Sequence, residues 1–511
     1  MPKVTPLFPR KFRFTALVAS LAALVCGLPS PARAAVARST LVVVIDGLRP
    51  DYITKELMPN LQGLGEAGIV AEAHHSVFPT VTRVNSPSIA TGSYPRTHGL
   101  MHNTIYLPEA SPNPIDTAEA GALLQADTAT GGKLLTAVGI GELFTQAGRK
   151  VFVVGSGSTG ASLLLNHRKF AEVGLLNSRE FIRPASLQAH ALEVLGPFPT
   201  ATYPNRAANR WAMDAYLEIG LKEIHPDLTL MWLTDPDGTA HRHGPGAPET
   251  NQGLRFVDEE IGRLLTALTE RGLRDQVNIM VTADHGFSTH GGPFNVGALL
   301  TARGLADGVR VVGGGQIYVQ KGGDEKIRAI VRALQATEWT GAIFTRATTP
   351  GSRAGFVPGT LSFDAIDYQH PRAADILVDS NWSHTANQHG YPGTTTSGGV
   401  AGHGSSSPYD IRIRLIAAGP DFKRASRSSA PSGNIDLAPT LCHLYGIEPA
   451  PTMSGRVLTE LLRDGPAPDS VRAESSVHRV STAWEGGRYE IELHKVRVGT
   501  TDYVDFTQTK R

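Results

Sequence analysis

The chain has 511 residues, 41% of them hydrophobic and 19% charged, with 48 Lys plus Arg against 47 Asp plus Glu for a formal charge of +1. This composition excludes disordered, collagenous and coiled-coil chains, and the charge balance excludes the one-signed field that would hold a nucleic-acid duplex. The length suffices for one large, elaborated core, so function has to be sought in particular sites.

In chain order, the first feature is an export signal. Lys3, Arg10, Lys11 and Arg13 precede the apolar run Phe14 to Leu28 and the small-residue segment Pro31-Ala32-Arg33-Ala34. A run this short suits a signal peptide, residues 1–34, cut after Ala34, better than a membrane span. The expected mature chain has no transmembrane segment and is periplasmic or secreted. Its charge is −4, because the signal carries away five basic residues and no acidic ones. Cys26 leaves with it, so Cys442 stands alone and no intramolecular disulfide is expected. Within the apolar stretch Leu437 to Leu444, Cys442 reads as a buried small hydrophobe.

Short apolar runs follow: Leu41 to Ile45 before Asp46, Val151 to Val154 before Gly155-Ser156, Leu228 to Leu233 before Thr234-Asp235, and Val277 to Thr282 before Asp284. Their continuous apolar character predicts strands covered on both faces. The run Ile411 to Ala417 opens with alternating Ile and Arg, which places it nearer an edge. Helical patterns lie between the runs. The clearest is Leu254 to Arg271, with Leu254, Val257, Ile261, Leu264, Leu265 and Leu268 on one face and Gly272 as its stop. The alternation predicts an α/β fold with a doubly wound, mostly parallel central sheet and helices on both faces, ligands gathering beyond the carboxyl ends of the strands. Residues 35–290 are expected to form the first part of this core and 401–511 the second, with a strand-like, peripheral tail. Residues 291–400 form a smaller inserted cap, with strands Val309 to Val312 and Gln316 to Val319 and a helix Lys326 to Ala336.

Asp46, Asp237, His241, Asp284, His285 and His403 fall at strand ends or in the loops beside them. Carboxylate and imidazole together suit zinc and similar ions. Any one of these residues is most simply a helix cap or a solvated histidine, but all of them around one sheet point to a metal site. His389 competes with His403 for the last position, while His74, His75, His243 and His290 have no motif around them and read as supporting or surface residues.

With Phe78-Pro79-Thr80-Val81-Thr82-Arg83-Val84-Asn85 and Tyr94-Pro95-Arg96-Thr97-His98-Gly99-Leu100-Met101-His102-Asn103, these motifs resemble, in order, the alkaline phosphatase superfamily. The closest branch is the type I phosphodiesterase/nucleotide pyrophosphatase family, and Ile435-Asp436-Leu437-Ala438-Pro439-Thr440 looks like a superfamily helix start. The resemblance implies an alkaline-phosphatase-like fold and an exported hydrolase of phosphoester or phosphoanhydride bonds. It also implies two divalent metal ions per chain, expected to be zinc, and a small phosphorylated substrate, a nucleotide or another phosphodiester. By motif Thr82 is the nucleophile, its spacing of 21 residues to Asn103 selecting it over Thr80. Asp237, His241 and His403 would hold one metal, and Asp46, Asp284 and His285 the other, with Thr82 as a shared ligand. The Arg83 backbone N–H and the Asn103 amide would face the phosphoryl oxygens. His403 is preferred to His389 because it lies just before the run Ile411 to Ala417, where the superfamily places this ligand.

The chain departs from the family after Thr82. Arg83-Val84-Asn85 stands where the family has Phe-Pro-Asn, whose ring helps sandwich a nucleobase. An arginine there suits a carboxylate or second phosphate on a compact substrate. That keeps two alternatives open, a C–P bond hydrolase similar to phosphonoacetate hydrolases and a phosphomonoesterase. The second lacks the Lys-x-Arg pair that threonine-using monoesterases carry after the segment ending at Val154. Thr82 cannot become a sulfatase's aldehyde nucleophile. An exported binding protein without catalysis is the remote alternative and would need damage in the ligand set, of which the sequence has none.

Overall fold

The structure, a computed structural model, describes residues 38–485 and 487–511. The expected signal peptide and Cys26 lie outside the described residues. Ten strands form the main sheet: β1 (Ser39–Ile45), β2 (Ile69–His75), β3 (Val151–Gly155), β4 (Gly174–Asn177), β5 (Phe181–Arg183), β6 (Leu228–Leu233), β7 (Val277–Thr282), β8 (Arg412–Ala418), β9 (Ser426–Ser428) and β10 (Ser432–Gly433). Across the sheet they run β9, β2, β8, β7, β1, β6, β3, β4, β5, with β10 also paired to β2. β1 is parallel to β6 and to β7, opposing Ile45 to Leu233 and Val44 to Thr282. β3 is parallel to β6 and β4.

Successive side chains of a strand point to opposite faces, so a strand covered on both sides is apolar throughout. β1 divides in this way. Leu41, Val43 and Ile45 join one core with Leu254, Val257, Ile261 and Leu264. Val42 and Val44 join the other with Ile89, Leu163 and Leu441. The helices concerned are α1 (Thr82–Thr91), α2 (Thr159–Leu165), α4 (Pro248–Glu270) and α5 (Leu437–Tyr445), with the short α3 (Asp237–His243) ahead of α4. Cys442 is buried in α5 as a free thiol.

The strand expected nearer an edge, β8, lies inside the sheet, antiparallel to β2 and β7. Its Ile and Arg alternation marks only its exposed beginning, where Arg412 reaches out to both oxygens of Asp505 at 2.7 Å. Ile413 and Leu415 behind it are fully buried.

Between β7 and β8 the chain builds a second, five-stranded sheet from Val309–Val312, Gln316–Val319, Thr340–Thr345, Leu361–Ser362 and Ile376–Ser380. Helix Gly323–Gln335 covers it with Ile327, Ile330, Val331 and Leu334. A four-stranded sheet of Ser288–His290, Trp382–Ala386, Pro392–Thr395 and Ala401–Gly402 forms the stem of this excursion. The tail is a three-stranded antiparallel ribbon, Glu474–Trp484, Gly487–Val498 and Thr501–Lys510. It is less peripheral than expected, because Tyr489, Ile491 and Leu493 sink into the core of the second sheet.

Candidate active site

The parallel register of β6, β1 and β7 brings their carboxyl ends side by side, which is where open α/β sheets collect their ligands. Asp46 follows β1 directly, and backbone bonds tie it to its neighbours: its N–H donates to Leu233 O at 2.9 Å, and its carbonyl accepts from the Asp237 N–H at 3.0 Å. Asp237 opens α3, which puts His241 on the same side one turn later. Asp284 and His285 follow β7. Thr82 is the first residue of α1 and is buried.

His403 arrives from far along the chain, and its loop is fastened beneath the nucleophile's helix. The His403 ring bonds Thr80 O at 2.8 Å. Thr80 Oγ1 donates to Ser405 O at 2.7 Å and accepts from the Gly404 N–H at 3.1 Å. The Thr80 hydroxyl is thus used in bracing that loop, whereas Thr82 Oγ1 faces the His285 ring, 3.4 Å from its Nε2.

Two groups of side chains come within ligating distance of a common point. Asp237, His241 and His403 bring one ligand atom each within 4.8 Å of one another, and so do Asp46, Asp237 and His285. Asp237 belongs to both groups. Asp284, expected beside Asp46, stands just outside the second one, its Oδ2 3.0 Å from His285 Nε2. The His285 and His403 rings stack with centroids 3.4 Å apart. His241 is the solvent-facing member, its side chain 42% exposed against 0% for His285.

The donor set suits divalent ions. Each histidine turns Nδ1 toward a backbone carbonyl, His241 to Ala401 at 3.0 Å, His285 to Gly286 at 2.8 Å and His403 to Thr80, so that Nε2 of all three points at carboxylates. Such outer bonds fix ring orientation and leave Nε2 as a free ligand. The carboxylates are treated alike. Asp46 Oδ2 accepts from Trp232 Nε1 at 2.9 Å and Asp284 Oδ1 from the Gly47 N–H at 3.1 Å. Asp46 Oδ1, Asp284 Oδ2 and Asp237 Oδ1 are buried without a hydrogen-bond partner. Buried, unpaired carboxylate oxygens are costly unless a cation meets them.

The electrostatics carry the same signature. Burial pushes the Asp46 carboxyl well above its ordinary range, and Asp284 and Asp237 add repulsion. For Asp237 burial also opposes the charge, but His241 and His403 outweigh it and hold the group well below the usual range. His285 is raised because Asp284 and Asp237 overcome its burial. His403 is lowered by burial and by the adjoining His285.

Arg83 and Asn103 meet, though not as expected. The Arg83 N–H donates to Asn103 Oδ1 at 2.9 Å, which satisfies one of the free N–H groups of a helix start and leaves the Asn103 NH₂ available. His389 is exposed and outside both groups, and His243 is exposed as well. His290 bonds Gly398 O at 2.8 Å. His74 supports the site from behind. It is buried, bonded to Ser432 Oγ at 2.8 Å and Asn434 Oδ1 at 3.3 Å, and burial with His75 beside it pushes its ring down to about 3.

Asn434, Asn85 and Trp232 were not legible as site residues. Asn434 Nδ2 donates to Asn85 Oδ1 at 3.0 Å and to the carbonyls of Ala283 and Asp284 at 3.1 and 3.3 Å, locking α1 against the end of β7. Trp232 sits in an apolar strand and looks like core until its N–H is followed to Asp46. Asp235, two residues before Asp237, has its oxygens filled by Asn205 N, Thr239 Oγ1 and Asn209 Nδ2 at 2.6 to 3.0 Å and is structural.

Comparison with known proteins decides the family. The sequence profile of the type I phosphodiesterase / nucleotide pyrophosphatase family matches residues 40–406. The chain belongs to this family. Among its relatives are venom phosphodiesterase 2 of Crotalus adamanteus, 29% identical over 251 residues, and human ectonucleotide pyrophosphatase/phosphodiesterase family member 7, 24% identical over 416 residues and 80% of each chain. The first match takes in 47% of this chain and 26% of the venom protein. The chain thus spans about a quarter of the length of the two Crotalus adamanteus venom phosphodiesterases it matches. The solved structure of murine ectonucleotide pyrophosphatase/phosphodiesterase 5 superposes with a TM-score of 0.58 at 18% identity, covering 83% of this chain and all of that one. The fold is alkaline-phosphatase-like. Among the described residues, no helix is long and apolar enough to cross a membrane.

Proposed function

We propose that this chain is an exported two-metal phosphodiesterase or nucleotide pyrophosphatase that works through a phospho-threonine intermediate. The observation that carries the reading is the convergence of Thr82 Oγ1, three Nε2 atoms and three unpaired carboxylate oxygens at the ends of β6, β1 and β7. Asp237, His241 and His403 would hold one divalent ion, zinc by donor type, and Asp46, Asp284 and His285 the other, with Asp237 shared. Ions held there would lower the pKa of the Thr82 hydroxyl and stabilise charge on the attacking and leaving oxygens.

The chain's own groups do the rest. Thr82 Oγ1 forms a bond to phosphorus as the ester or anhydride oxygen departs, and water then cleaves the Thr82 ester to regenerate the hydroxyl. The Asn103 NH₂ faces the phosphoryl oxygens, and the ten-residue helix α1 points its positive end at them. Arg83 supplies a cation beside the same oxygens. The named activities of the venom and human relatives support diester or anhydride cleavage, and the signal-like sequence of residues 1–34 supports export. The murine protein was also solved as an inactive variant in complex with AMP, which supports a nucleotide as one substrate class.

The test is a zinc-supplied assay on bis-p-nitrophenyl phosphate and p-nitrophenyl phosphate, with metal analysis of the same sample. Preference for the diester and about two ions per chain are expected, and a clear preference for the monoester would sink the assignment. Thr82→Ala should lower turnover by a factor of about 10³ or more while the melting temperature stays close to wild type.

A further inference from the structure

One apolar side chain stands inside the proposed metal site, and the hydrophobic cores do not explain its burial. Phe287, two residues after His285, is fully buried, yet it belongs to neither core of the main sheet nor to that of the second sheet; its apolar cluster consists of itself, Ala240 and Ala401. Its ring lies among the three histidines of the site, with centroid distances of 4.9 Å to His241, 5.6 Å to His403 and 6.5 Å to His285. The contact with His241 is edge-to-face, at an interplanar angle of 71°. The Phe287 backbone is held on both sides. Its N–H donates to Tyr409 O at 2.9 Å, and its carbonyl accepts from Arg49 Nη1 at 2.6 Å. Arg49 is buried, with its guanidinium 5.3 to 5.8 Å from the ring centroids of Tyr52, Tyr391 and Tyr409, and its other donors go to both oxygens of Asp51 and to Pro392 O. One guanidinium thus joins the loop after β1, the loop after β7 and the stem of the second sheet.

His241 is the ligand with most need of such support. It is the solvent-facing member of its group, and its ring is fixed by the Nδ1 bond to Ala401 O, by the Phe287 contact and by His403 at 5.1 Å. Ala401, which accepts that bond, packs against the same phenyl ring. His285 is fully buried and farther from Phe287, so it does not share the need. We infer that Phe287, clamped by Arg49, is a positioning residue for the first metal group. It holds the exposed His241 ring against Asp237 and His403, so the affinity of that group for its ion depends on the phenyl ring and the affinity of the second group does not. An aromatic side chain suits the task, because an edge-to-face pair contributes more than its buried area and fixes the angle of the partner ring. Burying such a ring beside the ligands also keeps water from the flank of His241. The inference rests on the proposed two-metal site, whose geometry it deepens.

The experiment is a titration of the full chain, stripped of metal, with zinc against a competing chelator. The unmodified protein should bind two ions. Phe287→Leu should weaken one of them about tenfold or more, the effect of removing an outer support from a ligand, and leave the other within about twofold. In a His241→Ala background, which already lacks the supported ring, Phe287→Leu should cost less than about a further twofold, because the two changes act on one interaction. Arg49→Lys keeps the charge and loses the fork, and should weaken the same ion by a smaller factor. The melting temperature of each metal-free variant measures the loss of packing separately. A loss shared equally by both ions, as a general loosening would give, overturns the inference, and so does a tenfold loss that persists in the His241→Ala background. Zinc binding by the unmodified protein reports on the two-metal reading itself. Two ions whose affinities are unchanged in Phe287→Leu remove the inference and leave that reading, whereas a single ion that depends on Phe287 and His241 leaves the inference and removes the second ion. No bound ion removes both.

Discussion

Asp46 becomes a ligand candidate through the partner it has and the partner it lacks. Its Oδ2 is fixed by the Trp232 N–H, and its Oδ1 is buried with nothing to accept from. Trp232→Phe keeps most of the buried ring and deletes only that donor. Metal affinity is expected to fall about 10- to 100-fold, the usual consequence of removing an outer hydrogen bond from a ligand, with a smaller loss of stability of about 1–3 kcal/mol. A competitive chelator titration measures the first and urea denaturation the second; unchanged affinity would reduce Trp232 to a core residue. The asymmetry of the site at this scale explains what could be read in advance. Asp46, Asp284 and His285 come just after apolar strands, and a polar residue at such a point stands out in a sequence. Trp232 and Asn434 act on those residues from positions that an apolar strand or a helix start would occupy in any protein.

Among the elements, the turn after β1 carries the heaviest constraint. Gly47 has a φ of +73°, its N–H holds Asp284, and a Cβ there would lie 3.2 Å from Asp237 Cα and Cβ and from the Phe287 ring. Gly47→Ala therefore meets left-handed strain of about 1–2 kcal/mol and crowds the proposed ligand Asp237 together with the Phe287 ring. A lower denaturation midpoint and a loss in kcat/KM larger than the stability loss alone would give are both expected. Stability that drops while kcat/KM holds would show that the turn serves the fold alone. The apolar runs of β1, β3, β6 and β7 were legible because burial on both faces leaves no alternation to misread. β8 was misplaced, since its first residues are exposed at one end of a strand that is otherwise interior. In the second sheet, Thr340–Thr345 and Ile376–Ser380 went unseen: Thr340, Thr345, Asp379 and Ser380 are buried polar residues that break the apolar pattern although the strands are interior.

Over the whole molecule, the two sheets meet at the loop that carries His403. Asp379, on the second sheet, accepts from the Ser406 N–H at 2.7 Å and from its hydroxyl. Asp410, just before β8, accepts from Ser405 N–H and Oγ at 3.0 and 2.6 Å and from Ser288 Oγ at 2.6 Å. The loop is thus suspended between carboxylates from both parts of the chain, which is how an insertion of about a hundred residues is coupled to a ligand that follows it. Burial pushes the Asp379 carboxyl up to about 7, with Asp410 adding to the rise against the opposing pull of the Ser406 donors. The folded value lies above the ordinary 3.8, so the contribution of Asp379 to stability is fully present below about pH 4 and is lost as pH rises through about 7. Asp379→Asn keeps an acceptor for Ser406 and removes the proton. At about 1.4 kcal/mol per unit, the variant should gain on the wild type by about 3 kcal/mol between pH 5 and pH 8. Urea denaturation at the two pH values, with zinc held constant, reads that difference. A gap between variant and wild type that stays the same at both would mean that the Asp379 carboxyl titrates as an ordinary acid and that the junction of the sheets is insensitive to its charge.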